Sequence, residues 1–120
     1  MLNLDTQILI LLTTGDITGE ERGLVVHEPL AISDIVLWEV AMLVSRRRIV
    51  LDLDGPEFRL WLQSLTILPI TMEIARQSCQ LDFSSDPADE IIAATSIVEK
   101  IPLLTRDRRI RKSRMVPLAL

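Results

Sequence analysis

The sequence predicts a three-layer α/β/α sandwich around a central, mostly parallel sheet. Short apolar runs able to form strands recur along the chain as LNL, LAIS, LTILPI and PLLT. Between them lie stretches with helical periodicity or helix-start chemistry, so strands and helices alternate. That alternation places helices on both faces of a parallel sheet, joined by right-handed crossovers. The 120 residues, 48% of them apolar, suit one domain spanning 1–120.

LNLD opens the chain as a strand. Ile8, Leu9, Leu11 and Leu12 then fall on one helical face, and Gly15 ends that helix. From Asp16 to Glu28 the chain is polar and acidic, with Gly19 and Gly23, and reads as a short helix or a cover. LAIS forms the second strand, and Ser33 caps the helix DIVLWEVAMLVSRRR, whose apolar residues nearly encircle it and predict full burial. IVLDLD before Gly55-Pro56 reads as an extended segment or a hairpin arm, ending in a turn. A helix from Glu57 to Leu65, the strand LTILPI and a helix from Thr71 follow. Asp86 then stands as N-cap with Pro87 at the first helical position, and that helix runs to about Lys100. The strand PLLT and the segment MVPLAL complete the order.

Composition narrows the function. Charges interrupt every apolar stretch long enough to span a bilayer, so a membrane helix is not expected. The first residues lack the basic leader and small-residue cleavage pattern of a signal peptide, and Cys79 stands alone. Both point to the cytoplasm. The net charge of −4 conceals a segregation, because Arg46, Arg47 and Arg48 form one basic run and RDRRIRKSR another. Such runs track phosphates even on an acidic domain, although a charge run alone is more often a solvated turn. With two tryptophans, two phenylalanines and no tyrosine, base stacking is not the mode of binding. Phosphate loops, dinucleotide turns and nucleophile elbows are missing from the sequence.

Four carboxylates remain, each at the edge of an apolar stretch: Asp5, Glu39, Asp89 and Asp107. Asp5 and Asp107 follow strands, at the sheet edge where open α/β folds bind ligands. Read singly, Asp5 caps a helix as readily as it catalyses, Asp86 and Asp89 suit a helix start, and Asp107 has arginine neighbours to pair with. Glu39 is different, since neither capping nor charge patterning accounts for one acid midway along an apolar helix. Burying it unpaired costs several kcal/mol, so it calls for water, a base or a cation. Two carboxylates about 4 Å apart repel by roughly 4 kcal/mol at an effective dielectric near 20. A divalent ion relieves such a cluster, and oxygen-only ligands favour Mg²⁺ or Mn²⁺ over zinc, because His27 and Cys79 have no partners. His27 is expected at the surface and Cys79 buried. The chemistry implied is hydrolysis of a phosphodiester.

The segments NLDT, ISDIVLWEVAMLV, DPADEIIAATS and LLTRDRRI resemble, in order and across the chain, the PIN-domain family. The match is nearest to the VapC-type toxins of type II toxin-antitoxin modules. The resemblance implies a parallel-sheet sandwich and a Mg²⁺- or Mn²⁺-dependent endoribonuclease. It implies that Asp5, Glu39, Asp89 and Asp107 hold the metal, with Thr6 and Thr105 orienting the carboxylates. Asp86 lies just outside the pattern, as a cap or a water-mediated ligand. Arg106, Arg108, Arg109 and Arg111 are expected to guide RNA phosphates, and a cognate antitoxin and a homodimer are the implied partners. One departure is Glu90, where relatives often carry a basic residue; its charge is expected to disfavour phosphate. The alternative function is a weakly active or inactive PIN-like module that binds RNA or a partner protein.

Overall fold

The computed structural model describes every residue from Met1 to Leu120. Strand β1 (Leu2–Leu4) leads into α1 (Thr6–Thr14) and α2 (Gly19–Val25), and β2 (Leu30–Ser33) into α3 (Asp34–Ser45) and α4 (Pro56–Gln63). Strand β3 (Thr66–Leu68) precedes α5 (Met72–Ser78) and α6 (Pro87–Glu99), and β4 (Leu103–Leu104) precedes the single turn α7 (Arg108–Arg111). The strands lie in the order β3-β2-β1-β4 and all pairs are parallel. The chain advances from β1 through β2 to β3, then returns past both to reach β4. Right-handed crossovers in the two directions put helices on both faces of the sheet, completing the three-layer sandwich.

Local chemistry sets the helix boundaries. Asp5, Thr18, Ser33, Thr71 and Asp107 each accept a backbone N–H from the first turn of the helix that follows. Thr18 and Glu21 complete a reciprocal capping box at α2. Gly15 ends α1 with φ +79°, a conformation that costs glycine nothing. Helix α3 ends in the same left-handed way, but the residue there is Arg47, with φ +57°. The Arg48 N–H reaches the Leu43 carbonyl at 2.9 Å and the Arg47 N–H reaches that of Val44 at 3.0 Å. This is a Schellman closure with arginine in the glycine position, at a cost of about 1 kcal/mol.

The core joins Leu2 and Leu4 of β1, Ile8 and Leu9 of α1, Ile32 of β2, Val36 and Val40 of α3, Ile92 of α6, and Leu103 and Leu104 of β4. Burial of β1 on both faces explains its apolar sequence, with one exception. Asn3 is wholly buried, and its amide donates to the Ile92 carbonyl at 3.3 Å and to Ser96 Oγ at 2.9 Å. It thereby fastens α6 to the central strand.

Three expectations need correction. Helix α3 is not enclosed: Val36 and Val40 are buried, whereas Leu37 is exposed and Trp38 keeps 57% of its surface in solvent. Its apolar circumference is wider than the face the sheet covers. IVLDLD is no hairpin arm, since it pairs with no strand; it ends in the expected turn, where the Asp52 carboxylate accepts the Asp54 N–H at 3.1 Å and the Asp52 carbonyl accepts the Gly55 N–H at 3.2 Å. Cys79 is exposed at the C-cap of α5, while His27 is exposed as expected.

Candidate functional site

Strand register builds the centre of the site. Leu4 pairs with Leu104, so the next residues, Asp5 and Thr105, stand side by side at the carboxyl edge of the sheet. The Thr105 hydroxyl donates to one oxygen of Asp5, and the Ile8 N–H donates to the other at 2.8 Å. Asp5 is thus a helix cap and a cleft residue at once. Thr6 donates its hydroxyl to Glu39, which α3 carries in from the β2 side. Asp89, in the first turn of α6, accepts from Ser85 Oγ at 3.0 Å. Asp107 caps α7 by accepting the N–H groups of Arg109 and Ile110 at 2.9 and 3.1 Å, and its own N–H donates to Thr105 Oγ1 at 3.0 Å.

All four acids line one cleft of about 390 Å³, together with Thr6, Gln7, Ile10, Leu11, Leu43 and Ile49. A second groove of about 400 Å³, lined by Leu12, Leu51, Phe58 and Trp61 among others, contains none of them. Asp52 and Glu57 are its only ionisable lining residues, whereas the other cleft gathers four acids, which makes the acidic cleft the candidate centre.

Three carboxylates of the cleft, Asp5, Glu39 and Asp89, hold their protons unusually well. Burial pushes Asp5 up to about 6, from an ordinary value of 3.8, and the charges of Asp89 and Asp107 add to the rise. The hydrogen bonds from Thr105 and Ile8 pull the other way. Glu39 is raised by burial and by the charges of Asp89 and Asp86, against the Thr6 hydrogen bond. Asp89 is raised by burial and by Asp107 and Asp86, against Ser85 and the charge of Arg109. Each of these three acids is therefore strained by removal from water and by its neighbours' charge. A cation among them relieves both effects, so the donor set fits a hard divalent ion. No three of these side chains are drawn tightly enough to form a finished cage, and the acids line an open cleft with room for water.

The arginines behave unequally. The sequence assigns Arg106 to RNA, yet its guanidinium forks onto Glu21, at 2.7 and 2.9 Å, and also reaches the Asp16 carbonyl at 3.2 Å. Glu21 is almost fully buried and requires this partner, which holds its carboxyl at about 2. Arg111 donates to the Thr105 carbonyl at 3.3 Å and so braces the strand end. Arg108 and Arg109 are exposed and outside any ion pair.

Asp86 occupies the N-cap position of α6 without accepting a capping hydrogen bond, and it does not line the cleft. Its exposed charge nevertheless reaches Glu39 and Asp89. Glu90 is also outside the cleft lining, and its carboxylate accepts the Ser85 N–H at 3.4 Å. Sequence reasoning overlooked Ser85, Asn3 and the Glu21–Arg106 clamp. The one usable signal was an asparagine inside an apolar strand, which demands buried partners.

These features define an α/β domain with four acids gathered at the carboxyl edge of a parallel sheet. The PIN domain profile matches residues 3–114, and the chain belongs to this family. It is 36% identical over 93 residues to ribonuclease VapC22 of Mycobacterium tuberculosis, a match covering 72% of this chain and 69% of that protein. Among solved structures it resembles a toxin-antitoxin complex from Klebsiella pneumoniae, with a TM-score of 0.72 and 25% identity over 93% of this chain and 91% of the other. VapBC2 from Rickettsia felis, bound to a DNA fragment from its promoter, shares the fold, with a TM-score of 0.72 and 19% identity over 98% and 97% of the two chains. No helix is long and apolar enough to cross a membrane.

Proposed function

We propose that the protein is the ribonuclease toxin of a toxin-antitoxin module, acting in the cytoplasm on RNA phosphodiesters with Mg²⁺ or Mn²⁺ as cofactor. The observation that carries this reading is the meeting of Asp5, Glu39, Asp89 and Asp107 in one cleft, each supplied by a different helix or strand end. The relatives' names support the activity and the partner. A divalent ion there supplies charge neutralisation at the scissile phosphate and a more acidic water. The chain does the rest. Thr105 and Thr6 fix the rotamers of Asp5 and Glu39, and Ser85 that of Asp89, so the ligands are oriented before an ion arrives. Arg108 and Arg109, beside Asp107, draw a phosphate chain toward acids that would otherwise repel it.

Glu90, which accepts the Ser85 N–H and lies outside the cleft lining, adds a negative charge that the arginines beside Asp107 have to offset. The antitoxin has an apolar groove at Leu12, Leu51, Phe58 and Trp61 available to it, and exposed Leu37 and Trp38 on α3 favour a homodimer. The test is calorimetric titration with Mn²⁺ of the wild type and of Asp89→Asn, with cleavage of a mixed RNA pool followed in parallel. Metal binding and cleavage are expected in the wild type, and both should fall at least tenfold in the variant. A wild type that binds RNA but takes up no Mn²⁺ and cuts nothing would favour the binding-module alternative instead.

A further inference from the structure

Arg46, Arg47 and Arg48 are the largest charged feature that the cleft chemistry leaves unused. All three are exposed, and none has a carboxylate partner, since the ion pairs join Met1 to Glu28 and Arg106 to Glu21. Their position is informative. Leu43 and Ile49, on either side of the run, both line the acidic cleft, and the turn is closed by the Arg48 N–H on the Leu43 carbonyl. The three side chains therefore leave the backbone at the cleft rim. Helix α3 follows β2 and α7 follows β4, and these strands flank β1 on opposite sides. The two basic runs thus stand on opposite sides of β1, one after α3 beyond Leu43 and one in α7 after Asp107.

Helix-dipole complementarity accounts for cations at the end of α3, but it does not account for the residue at position 47. The backbone there is left-handed, the Schellman position that glycine fills without strain. Lys100 ends α6 in the same left-handed conformation far from the cleft, so what distinguishes Arg47 is its place in a run of three unpaired arginines between two cleft-lining residues.

We infer that the turn Arg46–Arg48 is a second phosphate-binding bank of the cleft, holding the RNA backbone on the α3 side while Arg108 and Arg109 hold it on the α7 side. This rests on the nuclease reading above and extends it to how the substrate is laid across the acids. A single strand held at both rims spans the acidic centre, which offsets the repulsion between carboxylates and phosphates. The contacts are to backbone phosphates, so the bank adds affinity without base preference.

The test compares the wild type with Arg47→Gly and with the triple variant R46Q/R47G/R48Q. Steady-state cleavage of a mixed pool of 12-nucleotide single-stranded RNAs in Mn²⁺ gives KM and kcat across a salt series. Binding of the same pool is measured by fluorescence anisotropy in the cleavage-deficient Asp89→Asn background. Arg47→Gly should match or exceed the wild type in Tm, because the left-handed backbone is relieved, and should raise KM. The triple variant should raise KM on the order of tenfold, with the change falling on KM more than on kcat. Its plot of log affinity against log salt should be shallower by about 0.7 for each phosphate that is no longer neutralised. Unchanged KM, affinity and salt slope in the triple variant would overturn the bank and leave the nuclease reading standing. Loss of binding in the triple variant, with no cleavage by the wild type, would keep the bank and overturn the nuclease. If the wild type neither binds nor cuts the pool, both fall.

Discussion

Two carboxylates in this protein are equally covered at their own surfaces, Asp5 deep in the fold and Glu21 near its outside, and they have opposite fates. Asp5 and Glu21 each keep only 5% of their surface exposed. Glu21 faces a guanidinium that donates to both its oxygens, and its carboxyl is held at about 2. Asp5 receives one hydroxyl and one backbone amide, faces Asp89 and Asp107, and is pushed up to about 6. Surface coverage alone therefore does not decide which way a carboxylate shifts. What separates them is whether the protein provides the counter-charge. At Glu21 it does, and the pair pins α2 to the segment after β4. At Asp5 the protein provides acids where a cation would be expected, which leaves the charge for something else to balance.

The largest effect should come from Asp5→Asn. Cleavage of RNA in Mn²⁺ is expected to fall at least ~100-fold, since a ligand and a charge disappear together. Stability in EDTA should move the opposite way. The folded-state value of Asp5 lies above its unfolded one, so the folded protein holds a proton between about 3.8 and 6 that the unfolded chain has lost. The contribution to stability is full below pH 3.8 and disappears as pH rises through 6, a swing on the order of 3 kcal/mol. The asparagine variant lacks this swing and should melt at a higher temperature than the wild type at pH 7 in EDTA. Added Mn²⁺ should stabilise the wild type alone. A variant that melts lower than the wild type in EDTA at pH 7 would break the comparison, because Asp5 would then be a net structural asset.

The intermediate effect is at the other acid. Arg106→Gln leaves Glu21 buried without its counter-charge and should lower Tm by roughly 5 °C or more, with Glu21→Gln costing less. The sign of the pH dependence is inverted relative to Asp5. The folded-state value of Glu21 lies below the unfolded 4.5, so the pair's stabilisation is present above pH 4.5 and is lost as pH falls toward 2. Thermal melts from pH 2 to 5 should show this slope in the wild type and a flatter one in either variant. Metal affinity should change little. A loss of RNA affinity in Arg106→Gln as large as in an Arg108 or Arg109 variant would return Arg106 to the substrate contacts that its position in the sequence suggested.

The same contrast explains how much was legible in the sequence. Strand-helix alternation and cap residues gave the order of elements, because both are local. The four acids were legible because each interrupts an apolar pattern, and Glu39 most of all. The pairing of Glu21 with Arg106 was not, since the two lie 85 positions apart and each has closer oppositely charged neighbours in sequence. Adjacency to Asp107 suggested that Arg106 faces the cleft, whereas the strand end turns it toward α2. The exposure of Trp38 was likewise hidden, because hydropathy counts apolar residues and cannot say how many of them the sheet has room to cover. Ser85 had the appearance of a boundary residue, and only the turn before α6 brings its hydroxyl to Asp89.

The smallest effect belongs to Asp86, which tests where the acidic cleft stops. Its carboxylate is exposed, caps no amide and does not line the cleft, yet its charge raises both Glu39 and Asp89. A charge acting through solvent is screened by salt, whereas a ligand is not. Asp86→Asn should therefore weaken Mn²⁺ binding by only about two- to threefold at low ionic strength, consistent with modest attraction between exposed charges. That difference should shrink further as salt is raised to about 0.15 M, where the Debye length is about 8 Å. Calorimetry at two salt concentrations reads this directly. A tenfold loss that persists at high salt would mean that Asp86 binds the ion itself, and the cleft would then have five acidic ligands to distribute, enough for a second ion.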